Sequence, residues 1–189
     1  IRLSASQKVT TVSHLVVFQR IMVVFTHAGV QFELNAPEAL TPSTAAITPS
    51  TTYHTLPGVV PQAIGERLYF VGTEEGTTQL REYFYSEDEQ TSKADDVSAH
   101  ASGYLPSDVQ TLLAADNHGA VFLLPPDGYT LYAYRTFFVG PQRALSSWAK
   151  YTLASTERIA DMSLIGDRLY LLVQDADDNY TIQHLPVPM

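Results

Sequence analysis

The sequence predicts an all-β, antiparallel chain: a β-propeller-like array of four blade-like modules of about 50 residues each. Three observations carry that expectation. One strand pattern recurs four times at a nearly constant period, turn residues punctuate it, and aromatic residues crowd the segments between. The 189 residues include eleven Tyr and eight Phe, with ten Gly and eleven Pro scattered among them. Such a mixture suits strands separated by turns.

The recurring element is a turn followed by a dense apolar run. Its copies are Gln19-Arg20-Ile21-Met22-Val23-Val24-Phe25, Gly65-Glu66-Arg67-Leu68-Tyr69-Phe70-Val71, His118-Gly119-Ala120-Val121-Phe122-Leu123-Leu124 and Gly166-Asp167-Arg168-Leu169-Tyr170-Leu171-Leu172. The anchoring positions 20, 67, 119 and 168 lie 47, 52 and 49 residues apart, which places Arg20, Arg67 and Arg168 at equivalent strand starts. Another apolar segment precedes each run, at 12–18, 59–64, 109–114 and 159–165. A polar turn follows each, at 26–29, 72–76, 125–128 and 174–179, supplying the dihedrals that hairpins need.

An alternating strand comes next. Val30, Phe32 and Leu34 share one face, which leaves Gln31 and Glu33 on the other. Segments 80–85, 130–135 and 180–185 repeat this behaviour, and fourth strands are expected at 45–54 and 147–153. Because the central run is continuously apolar, it suits an interior strand covered on both faces. A β-sandwich would give similar strands without the period. The modules fall at 1–55, 56–104, 105–155 and 156–189 within a single propeller-like region.

Helix is scarce, with one short turn expected across 106–114. Residues 35–58 hold Pro37, Pro42, Pro49 and Pro57 and read as loop or edge strand. Residues 86–103, opening Ser86-Glu87-Asp88-Glu89-Gln90, read as a long connection between the second and third modules. Trp148, the single tryptophan, is expected to be buried between modules.

A net charge of −9 and a pI near 4.9 argue against a nucleic-acid-binding surface, which needs a basic stripe to displace counterions. Cysteine is absent, excluding a disulfide framework, a thiolate metal site and a cysteine nucleophile. Apolar runs of five or six residues fall far short of a membrane span, so membrane insertion by this segment is not expected. The chain opens at Ile1 without an initiator methionine, in what reads as folded material, and is taken as a slice of a longer protein.

Candidate chemistry is sparse. Asp175, Asp177 and Asn179 have the spacing that begins a calcium loop, but Tyr180 and Pro186 stand where Gly and Glu are required, so a hairpin turn is the expected reading. The acidic groups Glu74-Glu75, Glu87-Asp88-Glu89 and Asp95-Asp96 invite a glycosidase idea, yet all fall in expected turns or loops. His14, His27, His54, His100, His118 and His184 are spread singly, unlike zinc ligands. Ser147-Trp148-Ala149-Lys150 matches S-x-x-K without the companion motifs of that enzyme class. Tyr83, Tyr85, Tyr129, Tyr132 and Tyr134 are either core residues or a carbohydrate-binding platform, and the latter would make a host-surface-binding module. No catalytic, cofactor-binding or metal-binding residue is assigned, and no cofactor is expected.

Five segments, in order, carry a family resemblance: Leu40-Thr41-Pro42-Ser43-Thr44; Gly65 to Val71; Leu80-Arg81-Glu82-Tyr83-Phe84-Tyr85; Ala94-Asp95-Asp96-Val97-Ser98-Ala99-His100; and Ala144-Leu145-Ser146-Ser147-Trp148-Ala149-Lys150-Tyr151. An R-E-Y strand, then A-x-D-hydrophobic-S/T, then S-x-W-x-[KR]-[WY] resembles the tail tubular protein B family, the tail nozzles of short-tailed bacteriophages. The resemblance implies a non-enzymatic virion component: a homohexameric ring that meets the tail adaptor protein and tail fibres while genomic DNA passes through without specific binding. It implies no catalytic residues. The slice alone is expected to stay largely monomeric at low salt, with 35–58 and 86–103 as contact segments in the ring.

Overall fold

The computed structural model describes residues 3–4, 9–36, 41, 43–140, 142–154 and 156–187. Pro37, Leu40 and Pro42 lie outside these residues. Strands β1 (Leu3–Ser4) and β2 (Val9–Thr10) pair with each other. The first large sheet contains β3 (Val12–Phe18), β4 (Ile21–Thr26), β5 (Val30–Asn35) and β6 (Ala46–Thr52). The second contains β7 (Gln62–Ile64), β8 (Arg67–Glu74), β9 (Thr77–Ser86) and β10 (Thr91–Asp96). The third contains β11 (Thr111–Ala115), β12 (Ala120–Leu124), β13 (Thr130–Val139) and β14 (Gln142–Thr152). The fourth has three strands, β15 (Arg158–Ile165), β16 (Arg168–Gln174) and β17 (Tyr180–Pro186).

Every large sheet is a meander in which sequential strands pair antiparallel. The second strand of each meander, β4, β8, β12 or β16, is the continuously apolar run and sits between two neighbours. That position satisfies both rows of backbone donors and acceptors, so an unbroken apolar run carries no hydrogen-bonding penalty there. Helix among the described residues is limited to two 3-10 turns, Ala99–Ala101 and Asp116–His118.

Four expectations need correction. No helical turn forms at 106–114, where Thr111 instead opens β11 and pairs with Leu124. The long connection at 86–103 is mostly a hairpin: Ser86 pairs with Thr91, residues 87–90 make the turn with Gln90 at φ 52°, and β10 follows. Polar β10 escaped notice because an edge strand needs no continuous apolar run. Arg20 is not equivalent to Arg67 and Arg168. It occupies the second loop position between paired Phe18 and Ile21, where the later hairpins carry Glu66 and Asp167. The left-handed first position falls to Gln19, Gly65 and Gly166, with φ of 53°, 52° and 62°. Trp148 is only partly buried, because β14 is an edge strand and its indole lies 5.0 Å from the Tyr134 ring on one side.

The chain divides into two compact units, Ile1–Ala99 and His100–Met189. In the first, the first and second sheets pack face to face. Phe18, Val23 and Phe25 meet Leu68, Phe70, Tyr83 and Ala94, with the Phe25 and Phe70 rings 5.2 Å apart edge to face. In the second unit, Phe122, Leu124, Leu131 and Ala133 of the third sheet pack on Ile159, Met162, Leu169, Leu171 and Val173 of the fourth. Tyr69 and Val71 on β8, and Val121 and Leu123 on β12, point away from these cores yet are also fully buried. Both central strands are therefore covered on both faces.

Candidate functional site

The densest polar arrangement lies in the first unit, on the face of β5 that carries Gln31 and Glu33. These two pair with the core residues Phe25 and Val23, so that face turns inward. Gln31 has no exposure and Glu33 is half-buried. The Ser50 and Ser92 hydroxyls donate to Glu33 Oε1 at 3.1 and 2.5 Å, and the Tyr83 hydroxyl donates to the same oxygen. The Ser50 hydroxyl also lies 2.7 Å from the Tyr83 oxygen, so its single proton serves either that oxygen or Glu33 while Tyr83 donates to the carboxylate. Glu33 and Ser50 belong to the first sheet, Tyr83 and Ser92 to the second, so a single carboxylate oxygen bolts two sheets together. Burial first, and then the bond to the Glu33 carboxylate, push the Tyr83 phenol well above its usual range.

An open groove of about 440 Å³ runs above this cluster between β6 and β10, lined by 50–53 and 92–95. Below it the Arg81 guanidinium stacks on the Tyr53 ring at 3.6 Å, donates to the Ala94 carbonyl at 2.9 Å and reaches Glu74 at 3.1 Å. The R-E-Y strand thus divides by pleat. Arg81 and Tyr83 face the first sheet, while Glu82 points the other way. There the buried Glu82 carboxylate accepts from the Tyr69 hydroxyl at 2.7 Å and meets Arg67 at 3.4 Å. Arg67 in turn lies 4.0 Å from the Phe84 ring centre. Each charged group has its partner, as burial requires. An arrangement of this kind fixes sheet against sheet.

Gln31 forms a second clamp. Its Nε2 donates to the Tyr53 carbonyl at 2.7 Å and to Thr55 Oγ1 at 3.2 Å. Its Oε1 accepts from Thr51 Oγ1 at 2.8 Å and from the Tyr53 amide at 3.2 Å. Just beyond, Thr55 bridges Gly72 and the Leu56 amide donates to the Val71 carbonyl at 2.8 Å. Gly72 is required there, because a Cβ would stand 2.7 Å from the His54 carbonyl oxygen. Sequence reading missed Gln31 and Glu33. The available signal was their position on an alternating strand inside a stack of sheets.

The other candidates disperse. Asp175 caps its own hairpin, accepting from the Asn179 amide at 2.9 Å, from the Asn179 side-chain Nδ2 at 3.2 Å and from the Asp177 amide at 2.9 Å, and these bonds hold its carboxyl below the usual range. Glu75 and Glu87-Asp88-Glu89 lie in turns, while Asp96 accepts from the Ser98 amide at 2.8 Å. Among the described residues, no three His, Asp or Glu side chains gather in a form suited to a metal ion. His14 and His27 do approach each other. Burial, with a smaller contribution from His27, lowers the His14 pKa below 6.5. Ser147 and Lys150 lie on edge strand β14. Tyr83, Tyr132 and Tyr134 are core residues, whereas Tyr85 and Tyr129 are about half exposed, so the five form no single platform. No described helix is long and apolar enough to cross a membrane, which says nothing of strands.

The sequence profile of the bacteriophage nozzle proteins matches residues 3–188. The chain belongs to the bacteriophage nozzle protein family. Members of the nozzle family are structural parts of the phage tail, and this chain is accordingly a virion tail component. It is 18% identical over 173 residues to the tail tubular protein gp12 of Escherichia phage T7, an alignment covering 90% of this chain. The chain spans only 22% of the length of that T7 protein. A solved protein structure from Lactobacillus plantarum aligns with 99% of this chain and 59% of its own length, at 12% identity and a TM-score of 0.49.

Proposed function

We propose that this nozzle-family chain builds part of the wall of the conduit through which the phage genome leaves the virion. The observation that carries the reading is the profile match along nearly the whole chain, joined to an all-β architecture of antiparallel meanders. In this reading the four meanders are arranged as propeller blades, and the complete protein closes into a sixfold ring by head-to-tail contacts. The ring meets a tail adaptor protein and tail fibres. A net charge of −9 suits passage of DNA without specific binding, because weak repulsion keeps the moving strand from being trapped. The segment performs no catalysis.

Electron microscopy of intact tails containing this sequence tests the assignment. A sixfold density with these sheets around a central channel is expected. A threefold or asymmetric density, or sheets placed on an appendage away from the channel, would sink it.

A further inference from the structure

The groove above the Glu33 cluster is walled by the outer strands of two four-stranded meanders, β6 of the first sheet and β10 of the second. Its volume of about 440 Å³ falls in the range of small-molecule sites. Ser50, Thr51, Thr52, Tyr53 and Ser92 make most of its lining hydroxyl-bearing. A β-bulge explains part of this. Val30 pairs with Thr52 and Phe32 with Pro49, so Ser50 and Thr51 together oppose Gln31 and turn both hydroxyls inward, to Glu33 and to Gln31. The charges in the lining do not select an ion, because Lys93 is already bonded to Glu89 and Asp95 offsets it. Ala94 is the sole aliphatic residue of the lining, so an apolar ligand finds little to bury against.

The serine hydroxyls have a fixed direction. Ser92 donates to Glu33 Oε1, and the Ser50 proton goes to that oxygen or to Tyr83, which leaves both serine oxygens to accept from the groove. A hydroxyl that donates to a carboxylate is polarised and becomes a stronger acceptor. Thr52 is exposed and can donate or accept, and the edge strands β6 and β10 add open backbone groups. At the Ser92 end stands Tyr85, about half exposed. It pairs with Ser92 and shares the face of β9 that carries Tyr83. Hydroxyl acceptors beside an exposed aromatic ring, without net charge, match a ligand that is itself a ring bearing hydroxyl donors. We propose that this groove binds about one or two rings of a neutral saccharide, with Ser50, Thr52 and Ser92 meeting its hydroxyls and Tyr85 stacking on a sugar face. The site lies wholly within the unit Ile1–Ala99 and stands or falls independently of the conduit reading.

Amide NMR of the isotope-labelled whole chain tests this with linear tetrasaccharides of glucose, galactose, mannose and N-acetylglucosamine. Inorganic phosphate is the anionic control, and a bacterial O-polysaccharide is the cell-surface arm. At least one saccharide is expected to shift amides in 50–53, 85 and 92–95 with a dissociation constant of about 1 mM, as a few hydrogen bonds and one stacked ring provide. Shifts with the O-polysaccharide place the ligand on a cell surface, and shifts with the short glycans alone make it a free saccharide; both support the site. Tyr85→Ala and Thr52→Val, at exposed residues outside both clamps, should each weaken binding about three- to tenfold with the circular dichroism unchanged. No shift with any saccharide at about 20 mM, shifts that avoid the groove, occupation by phosphate instead, or affinity unmoved by both substitutions overturns the assignment.

Discussion

Replacing Gln31 with alanine probes whether one buried amide holds the crossing from the first sheet to the second. The side chain makes four hydrogen bonds, at 2.7, 3.2, 2.8 and 3.2 Å, to Tyr53, Thr55 and Thr51. At about 1 kcal/mol for each neutral bond, their loss sums to about 4 kcal/mol, with coupling between neighbours shifting the total. Alanine would also leave the amide and carbonyl of Tyr53 without their partner. Gln31→Glu keeps the shape but sets an acceptor against the Tyr53 carbonyl, so it should cost at least as much. Urea unfolding followed by circular dichroism, with amide exchange read at Tyr53, gives both measurements. A loss of about 3–5 kcal/mol and faster Tyr53 exchange are expected. A loss below about 1 kcal/mol with Tyr53 exchange unchanged would refute the reasoning.

Gly128→Ala should cost about 2–4 kcal/mol in thermal unfolding, since φ is +70° and a Cβ would stand 2.4 Å from the Ile159 carbonyl oxygen. Gly58→Ala, at φ +87° with open space around it, is the milder control at about 1 kcal/mol. Trp148→Ala should cost about 1–2 kcal/mol by denaturant titration, because the indole is only partly buried on an edge strand and packs on the Tyr134 ring. A loss above about 3 kcal/mol would mean the indole is fully enclosed. His14 has its folded pKa below the unfolded 6.5, so the unfolded chain takes up the proton first and stability falls as pH drops through 6.5. Removing that share by His14→Gln should flatten the decline measured from about pH 7.5 to about pH 5, and an unchanged slope would exclude His14 as a contributor.

What the sequence disclosed follows from which forces leave a local trace. The central strands were legible because continuous burial writes an unbroken apolar run, as at Leu68 to Val71 and Ala120 to Leu124. Strand β10 was not, because an edge strand packed on one side tolerates Thr91, Ser92 and Lys93. The one-residue misplacement of Arg20 arose because Gln19, rather than a glycine, takes the left-handed position in its hairpin. Gln31 and Glu33 were placed on the second face of β5 without a role, since alternation reports which residues share a face and not what lies beyond it. Their partners, Tyr53 and Tyr83, lie 22 and 50 residues away, a distance that no local pattern spans. The tyrosines were ambiguous for the same reason: Tyr83 is enclosed and Tyr85 exposed on the same strand.

The segment from Tyr53 to Leu56 belongs to two sheets at once, gripped by Gln31 on one side and stitched to Val71 and Gly72 on the other. Under mechanical load such a splice behaves unlike a slack tether. Tension applied along the chain reaches the second sheet through a row of bonds sheared together, and the segment cannot peel from one neighbour while the other stays intact. The first two meanders should therefore yield as one elastic element, with a single rupture event between Val12 and Asp96 where independent blades would give two.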